Sequence, residues 1–404
     1  MSIAVEAQLA VPAHVPADRV VDFDFLSDAG LSSDPHAVYM RLAGAPPLVF
    51  TPRNGGHWIA TNRAVMTQIF QSPELFSNFP RVIPKTASLA KPHAFSDIDP
   101  PDNAKYRVLA QKALNPCAAK SFEAQAHEVI IELTQKVQRQ GACEFVADIA
   151  KQFPIVILLR WLGLPYADRD ELMERADDVL GGAKPDLRKK AKETIVAYAA
   201  AVVADRKSRP SDDMISQIVH GLVGGRAVSD EEALAMTTNL IIGGLDTVRN
   251  MLGFIAGFLA THPEHRRQLV AEPSLIGEAV EEFLRWFAIP NMSRSVKSDA
   301  EIGGAVLKQG EMVLLPLVLA GRDPAAYQNA GEVDFRRADK RHISFGVGAH
   351  LCLGMYLARI ELKAFLEEWL KRIPDFALDP ADSVRTHGGI ILSMCRLPLV
   401  WLAA

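Results

Sequence analysis

The chain has 404 residues, 49% hydrophobic and 23% charged, with a formal net charge of −4. That is a globular composition, without the strongly basic footprint that non-specific nucleic-acid binding requires. Cys117, Cys143, Cys352 and Cys395 are too widely spaced for a disulfide-stapled scaffold, which favours a reducing cytoplasm.

Residues 1 to about 35 are rich in proline and aspartate and read as an extended surface arm on a single domain spanning 1–404. They show no charged-then-apolar secretory pattern. A short helix starts at His36, behind Asp34 and Pro35. Residues 47–51 and 57–61 predict two strands joined by a turn at Asn54-Gly55-Gly56. Residues 65–70 are helical. Residues 78–98, with Pro80, Pro84 and Pro92, are irregular and long enough to be functional. Asp99-Pro100-Pro101-Asp102 starts a helix over about 103–114. Helices follow at 121–139, 153–162, 167–180 and 188–209. Ser229-Asp-Glu-Glu opens a helix that continues to about Ala260, long enough to cross the centre of the molecule. Its most apolar part, 240–261, is interrupted by Asp246 and Arg249, so it reads as core and not as a membrane span. A helix over 275–287, hairpin strands within 294–316 and a final hairpin within 390–401 complete a mainly α fold with a minor β part.

The chemistry centres on Ser344 to Gly354, where Gly346, Gly348 and Gly354 frame Cys352. Beyond it, Ala358, Leu362, Phe365 and Trp369 recur on one helix face. Backbone N–H groups at a helix start favour an anion, and thiolate is the metal-binding form of cysteine. Tetrahedral zinc would need three or four such ligands, and no second cysteine lies nearby. A lone thiolate suits axial ligation of haem iron. A buried structural cysteine would suit the glycine turn equally well. A second motif lies in the long helix: Gly243-Gly244-Leu245-Asp246-Thr247. Two glycines inside a helix cost about 1 kcal/mol each relative to alanine. Their missing side chains would let the helix lie against a flat group, and an acid in an apolar helix is paired or functional. In a third motif, Glu282 and Arg285 share a helix face, a pairing that means little when exposed.

The loop resembles the haem-binding signature of the cytochrome P450 family, Phe-Gly-x-Gly-x-[His/Arg]-x-Cys-x-Gly, at every fixed position. Gly243 to Thr247 resembles its oxygen-binding helix, [Ala/Gly]-Gly-x-[Asp/Glu]-Thr. Glu282, Arg285 and Arg337 resemble its structural ion cluster, expected to clamp the cysteine loop. The resemblance covers nearly the whole chain and is closest to the soluble, camphor-hydroxylating bacterial branch. It implies the P450 fold and haem b (iron protoporphyrin IX) with Cys352 as axial ligand. It implies an O2-dependent monooxygenase in which Gly243, Asp246 and Thr247 are catalytic. Asn103, Arg107, Arg294 and His350 fall on propionate-binding positions, with Phe345 and Gly346 beside the cofactor. Met292 stands where that branch has a propionate-contacting aspartate.

For the substrate, Val82, Lys91, His93, Asn239, Ile242, Ile390 and Ile391 fall on pocket positions. Lys91 replaces a ketone-binding tyrosine and Val82 a phenylalanine, which argues against camphor itself. His93 either donates to a carbonyl or faces solvent. The expected substrate is a small, mostly apolar terpenoid or norisoprenoid with one polar handle. No flavin or iron–sulfur motif occurs in the chain. The resemblance implies electrons from a [2Fe–2S] ferredoxin with an NADH-dependent reductase, steered by a basic patch of Lys105, Arg107, Lys112, Lys340 and Arg341. The rival readings are a peroxide-driven peroxygenase and a non-catalytic haem sensor or carrier. No nucleic-acid or membrane partner is expected.

Overall fold

Helices form where the sequence supplies a cap and an apolar stripe. The structure, a computed structural model, describes residues 10–85, 96–180 and 185–403. The Ser229 hydroxyl accepts from the Glu232 N–H while Glu232 accepts from the Ser229 N–H, a reciprocal capping box that starts the Asp230–Leu245 helix. Asn62, Asn115 and Asp213 cap other helices by accepting from Val65, Ala118 and Ser216 N–H. The Met355–Arg372 helix behind the cysteine loop buries Leu362, Phe365 and Trp369, as the spacing predicts. It packs on Glu123–Gln138 and on Ile276–Phe287.

The β part is a five-stranded sheet in the order Leu48–Thr51, His57–Ala60, Met312–Pro316, Asn291–Val296, Phe76–Ser77. The first two strands form the predicted hairpin, with Leu48 opposite Ala60. Asn54, Gly55 and Gly56 turn the chain with φ of 53°, 83° and 74°, a conformation that favours Gly and Asn. Asn291–Val296 runs antiparallel to Met312–Pro316, with Arg294 opposite Val313. This sheet therefore carries Arg294 to the site.

Three expectations change. The helix predicted to run to about Ala260 is broken at Asp246 into Asp230–Leu245 and Thr247–Thr261, with φ −126° at the break. Thr247 Oγ1 donates to Gly243 O at 3.3 Å and Asn250 Nδ2 to Asp246 O at 2.9 Å. Asn250 N–H also reaches Asp246 O at 3.1 Å, so side chains add extra donors to carbonyls at the break, which bends a helix. By length and composition this pair could span a membrane, but 67% of its most apolar window is buried in the protein. The tail is not a hairpin. Ser393–Arg396 pairs with Arg385–His387, while Pro398–Val400 pairs with Ala142–Glu144 and Ala377–Leu378. Only Leu397 separates the two segments, too short a link to reverse the chain. The described part of the N-terminal arm inserts Phe23, Phe25 and Leu31 into the core, at 3%, 2% and 3% exposure. Val21 N–H donates to Phe50 O at 2.9 Å, fastening the arm to the first strand. One continuous apolar core takes in Val15 near one end and Leu399 near the other.

Candidate active site

The backbone sets the cysteine loop. Gly346 N–H donates to Ile343 O at 2.8 Å, and Cys352 N–H to Phe345 O at 2.9 Å. Gly346 and Gly348 have φ of 73° and 79°, which penalises any side chain there. A Cβ at Gly348 would also stand 3.1 Å from Phe70 O. Ser344 Oγ donates to Leu284 O at 2.6 Å, fixing the loop to the Ile276–Phe287 helix. Surrounding protein partly desolvates the Cys352 thiol and raises it above its ordinary pKa, although the side chain is open on one side, while Gly354 N–H, Arg107 and Arg359 pull it back. A sulfur in that balance suits a metal cation, which removes the proton outright. Phe345 lies beneath Arg359, whose guanidinium carbon is 4.7 Å from the ring centre.

Behind the loop, Glu282 is fully buried and accepts from Arg285 Nε at 2.8 Å and Nη2 at 2.7 Å. Arg337 Nε lies 3.1 Å from both Glu282 oxygens, and Asp334 N–H donates to Oε1 at 2.8 Å. Arg285 and Arg337 also bond Glu332 O, at 2.8 and 2.9 Å. Tertiary folding has turned a weak sequence pair into a saturated cluster. Its reach extends to the loop through the preceding residue. Glu281 accepts from Arg359 at 2.6 Å and lies 3.2 Å from His342 Nε2. Burial alone would raise Glu281, but these partners outweigh it and hold the carboxyl down at about 2.

The expected cofactor-binding residues converge on the same loop. Asn103 Nδ2 donates to Ala349 O at 3.1 Å, and Arg107 donates to Leu351 O. Arg294, 3% exposed, stands 4.8 Å from the centre of the Phe70 ring, whose backbone lies against Gly348. His350 Nε2 is buried and has no hydrogen-bond partner among the described residues. Burial and the Arg294 and Arg107 charges push the His350 imidazole down to about 4. Buried cations and an unmatched ring nitrogen crowding one another suit a group that brings acids of its own. The propionates of haem are such acids, so these residues fit it. Sequence reasoning missed Arg81, whose charge also reaches Arg294 and His350.

The two glycines of the helix motif differ. Among the described residues a Cβ at Gly243 would meet nothing within 4 Å, whereas one at Gly244 would stand 2.5 Å from Leu158 Cδ1. Gly243 is the open face; Gly244 is a packing contact with the Gln152–Leu162 helix and not part of the flat surface expected of both. Gly243→Ala should stabilise the fold by up to about 1 kcal/mol through helix propensity. Gly244→Ala should lose about 1–2 kcal/mol, as overpacking outweighs that gain. Thermal melts of the two variants should therefore shift in opposite directions. Asp246, 2% exposed, pairs with Arg249 at 3.2 Å, a partner visible in the sequence only as an interruption. Asn250 Oδ1 accepts Met394 N–H at 3.0 Å, tying the helix break to the Ser393–Arg396 strand.

Of the expected pocket residues, Val82, Asn239, Ile242 and Ile391 are partly buried and Ile390 is exposed. Ile390 O accepts Asn291 N–H at 2.8 Å, and Ile391 bridges Pro290. Lys91 and His93 lie outside the described residues. The expected basic patch is largely neutralised. Lys105 pairs with Asp102 at 2.5 Å, Lys340 with Glu278 at 2.6 Å and Arg341 with Asp339 at 2.8 Å. The Lys112 side chain lies outside the description.

Comparison with known proteins agrees with this geometry. The family profile described as Cytochrome P450 matches residues 178–386. The crystal structure of cytochrome P450 CYP101C1 superposes with a TM-score of 0.90 at 35% identity, covering 98% of this chain and 100% of that one. CYP101J2 gives 0.88 at 34%, covering 97% and 100%. Cytochrome P450-terp of a Pseudomonas species is 27% identical over 95% of this chain and 96% of its own. The chain belongs to the cytochrome P450 family, as a monooxygenase that carries haem b on the thiolate of Cys352.

Proposed function

We propose that the protein hydroxylates a compact, mostly apolar substrate of the terpenoid or norisoprenoid kind, drawing electrons from a [2Fe–2S] ferredoxin and its NADH-dependent reductase. What supports the substrate class is the set of residues that the resemblance assigns to the pocket: Val82, Ile242, Ile390 and Ile391 are apolar, with Asn239 as the one polar side chain among them. The relative named P450-terp supports it. The resemblance of the motifs to the soluble bacterial branch supports the ferredoxin system. Four free cysteines support a cytoplasmic location.

The bound haem supplies O2 activation and oxidation of the C–H bond. Everything else falls to side chains. Arg107, Arg294 and His350 hold the haem acids, and Asn103 braces the loop through Ala349 O. Phe345 and Gly346 shape the cysteine side. Glu282, Arg285 and Arg337 clamp that loop and take no part in chemistry. Gly243 leaves room for O2. Thr247 Oγ1, on Gly243 O in the resting helix, gives up that bond to donate a proton toward the oxygen. Asp246, held by its pair with Arg249, takes the replacement proton from solvent. General acid–base groups of this kind contribute about 10²–10⁴-fold. Asp246→Asn should therefore cut product formation by roughly 10²-fold or more while NADH is still consumed, read as product formed per NADH.

The substrate class is tested by titrating small terpenoids into the ferric protein and following the low- to high-spin absorbance shift. A shift with several such rings, and hydroxylated product in a ferredoxin-reconstituted assay, is the expected result. Shifts confined to long-chain acids or large macrocycles would overturn it.

A further inference from the structure

More charge surrounds the His350 region than the motifs suggest. The Arg81 carbonyl accepts Ser293 Oγ at 2.6 Å, and Arg294 donates to Ser293 O at 2.8 Å. Three residues before Arg81, Asn78 Nδ2 lies 3.5 Å from His350 Nδ1. So the segment carrying Arg81 is stitched to both Arg294 and His350. The Arg81 Nε stands 2.7 Å from Asp97 Oδ1, with the arginine side chain 39% exposed and the aspartate 4%. Ser96 Oγ donates to the same oxygen at 3.1 Å. The buried member is the acid, and the cation lies at the rim.

We infer that the Arg81–Asp97 ion pair sets the reduction potential of the haem, Arg81 favouring the reduced state and Asp97 opposing it. The inference rests on the reading that Arg107, Arg294 and His350 hold the haem acids. Adding an electron to the haem adds one negative charge. A nearby cation stabilises that state and a nearby anion destabilises it, more strongly where solvent is excluded. Together the two side chains are a neutral dipole. Without Asp97, Arg81 is a full charge whose field reaches Arg294 and His350, and without Arg81 the buried Asp97 is a full opposite charge in contact with that position. Since Arg81 is partly exposed, solvent and salt weaken its effect. Nothing in the sequence pairs residues 81 and 97. Only the fold sets the guanidinium against this particular carboxylate.

The test is spectroelectrochemistry of the substrate-free holoprotein. Arg81→Gln should disfavour reduction about three- to tenfold, lowering the midpoint by about 30–60 mV for one electron. Asp97→Asn, which preserves the acceptor for Ser96, should raise it by a similar amount. The double variant should return to within about twofold of wild type. Arg81→Lys and Asp97→Glu keep the charges and should stay near wild type, which guards against a variant that loses haem. Shifts of both neutral variants in the same direction would mean a merely structural role and overturn the inference. Arg107→Gln separates the two levels of argument. If it lowers the midpoint while Arg81→Gln and Asp97→Asn leave it unmoved, the ion pair has no such role and the acid-binding reading stands. If Arg107→Gln also leaves the midpoint unmoved, that reading fails as well.

Discussion

Cys352→Ser should fold and yet lose monooxygenase turnover to background. The loop does not depend on the sulfur for its shape. Its frame is Cys352 N–H to Phe345 O, Gly346 N–H to Ile343 O, two left-handed glycines and the Ser344 bond to Leu284 O. Serine preserves all of these, so the haem-free melt should move by no more than about 0.5 kcal/mol. What changes is the ligand. A serine hydroxyl stays protonated where a thiolate forms, and it cannot donate electron density toward O–O cleavage as a thiolate does. The reduced carbon monoxide complex should then lack the red-shifted absorbance band for which the family is named. Turnover that survived this substitution would refute the assignment of Cys352.

Glu282→Ala should be the most damaging change to stability. The carboxylate it removes is fully buried and faces two guanidinium groups at 0% and 7% side-chain exposure. Breaking a buried ion pair from one side costs about 3–5 kcal/mol, because the other charge is left uncompensated. Here two are left, and the Asp334 N–H loses its acceptor too. Against a total stability of about 5–15 kcal/mol, that loss is a large fraction. The expected outcome is a strongly lowered denaturation midpoint and poor haem content, since Glu281, on the same helix, holds Arg359 and His342 beside the loop. Arg337→Ala should cost less, because Arg285 still meets the carboxylate. Denaturant titration of the two variants reads the difference, and equal losses would count against the cluster as described.

The contrast between these residues shows what a sequence can carry. Cys352 was legible because its chemistry is local, with glycines, histidine and helix start within a few residues. The Glu282 cluster was legible only through resemblance, since an i,i+3 pair says nothing about burial. The break at Asp246 was half legible. Thr247 could be seen bonding backwards, but Asn250 acquires its second partner, Met394, only through folding. The arm's aromatic anchors were masked by the prolines and aspartates around them. Arg81 was invisible because its partners, Asp97 and Ser293, are brought to it by the sheet and by the segment after Phe76–Ser77.

The adjacent glycines at 243 and 244 also show that one short motif can answer to two separate demands. Beside residue 243 the space is open, so its missing side chain serves whatever occupies that space. One residue later Leu158 Cδ1, 2.5 Å from any added carbon, would have to shift to admit a methyl. In this chain the spacing between two helices therefore accounts for the second glycine, and the open face for the first.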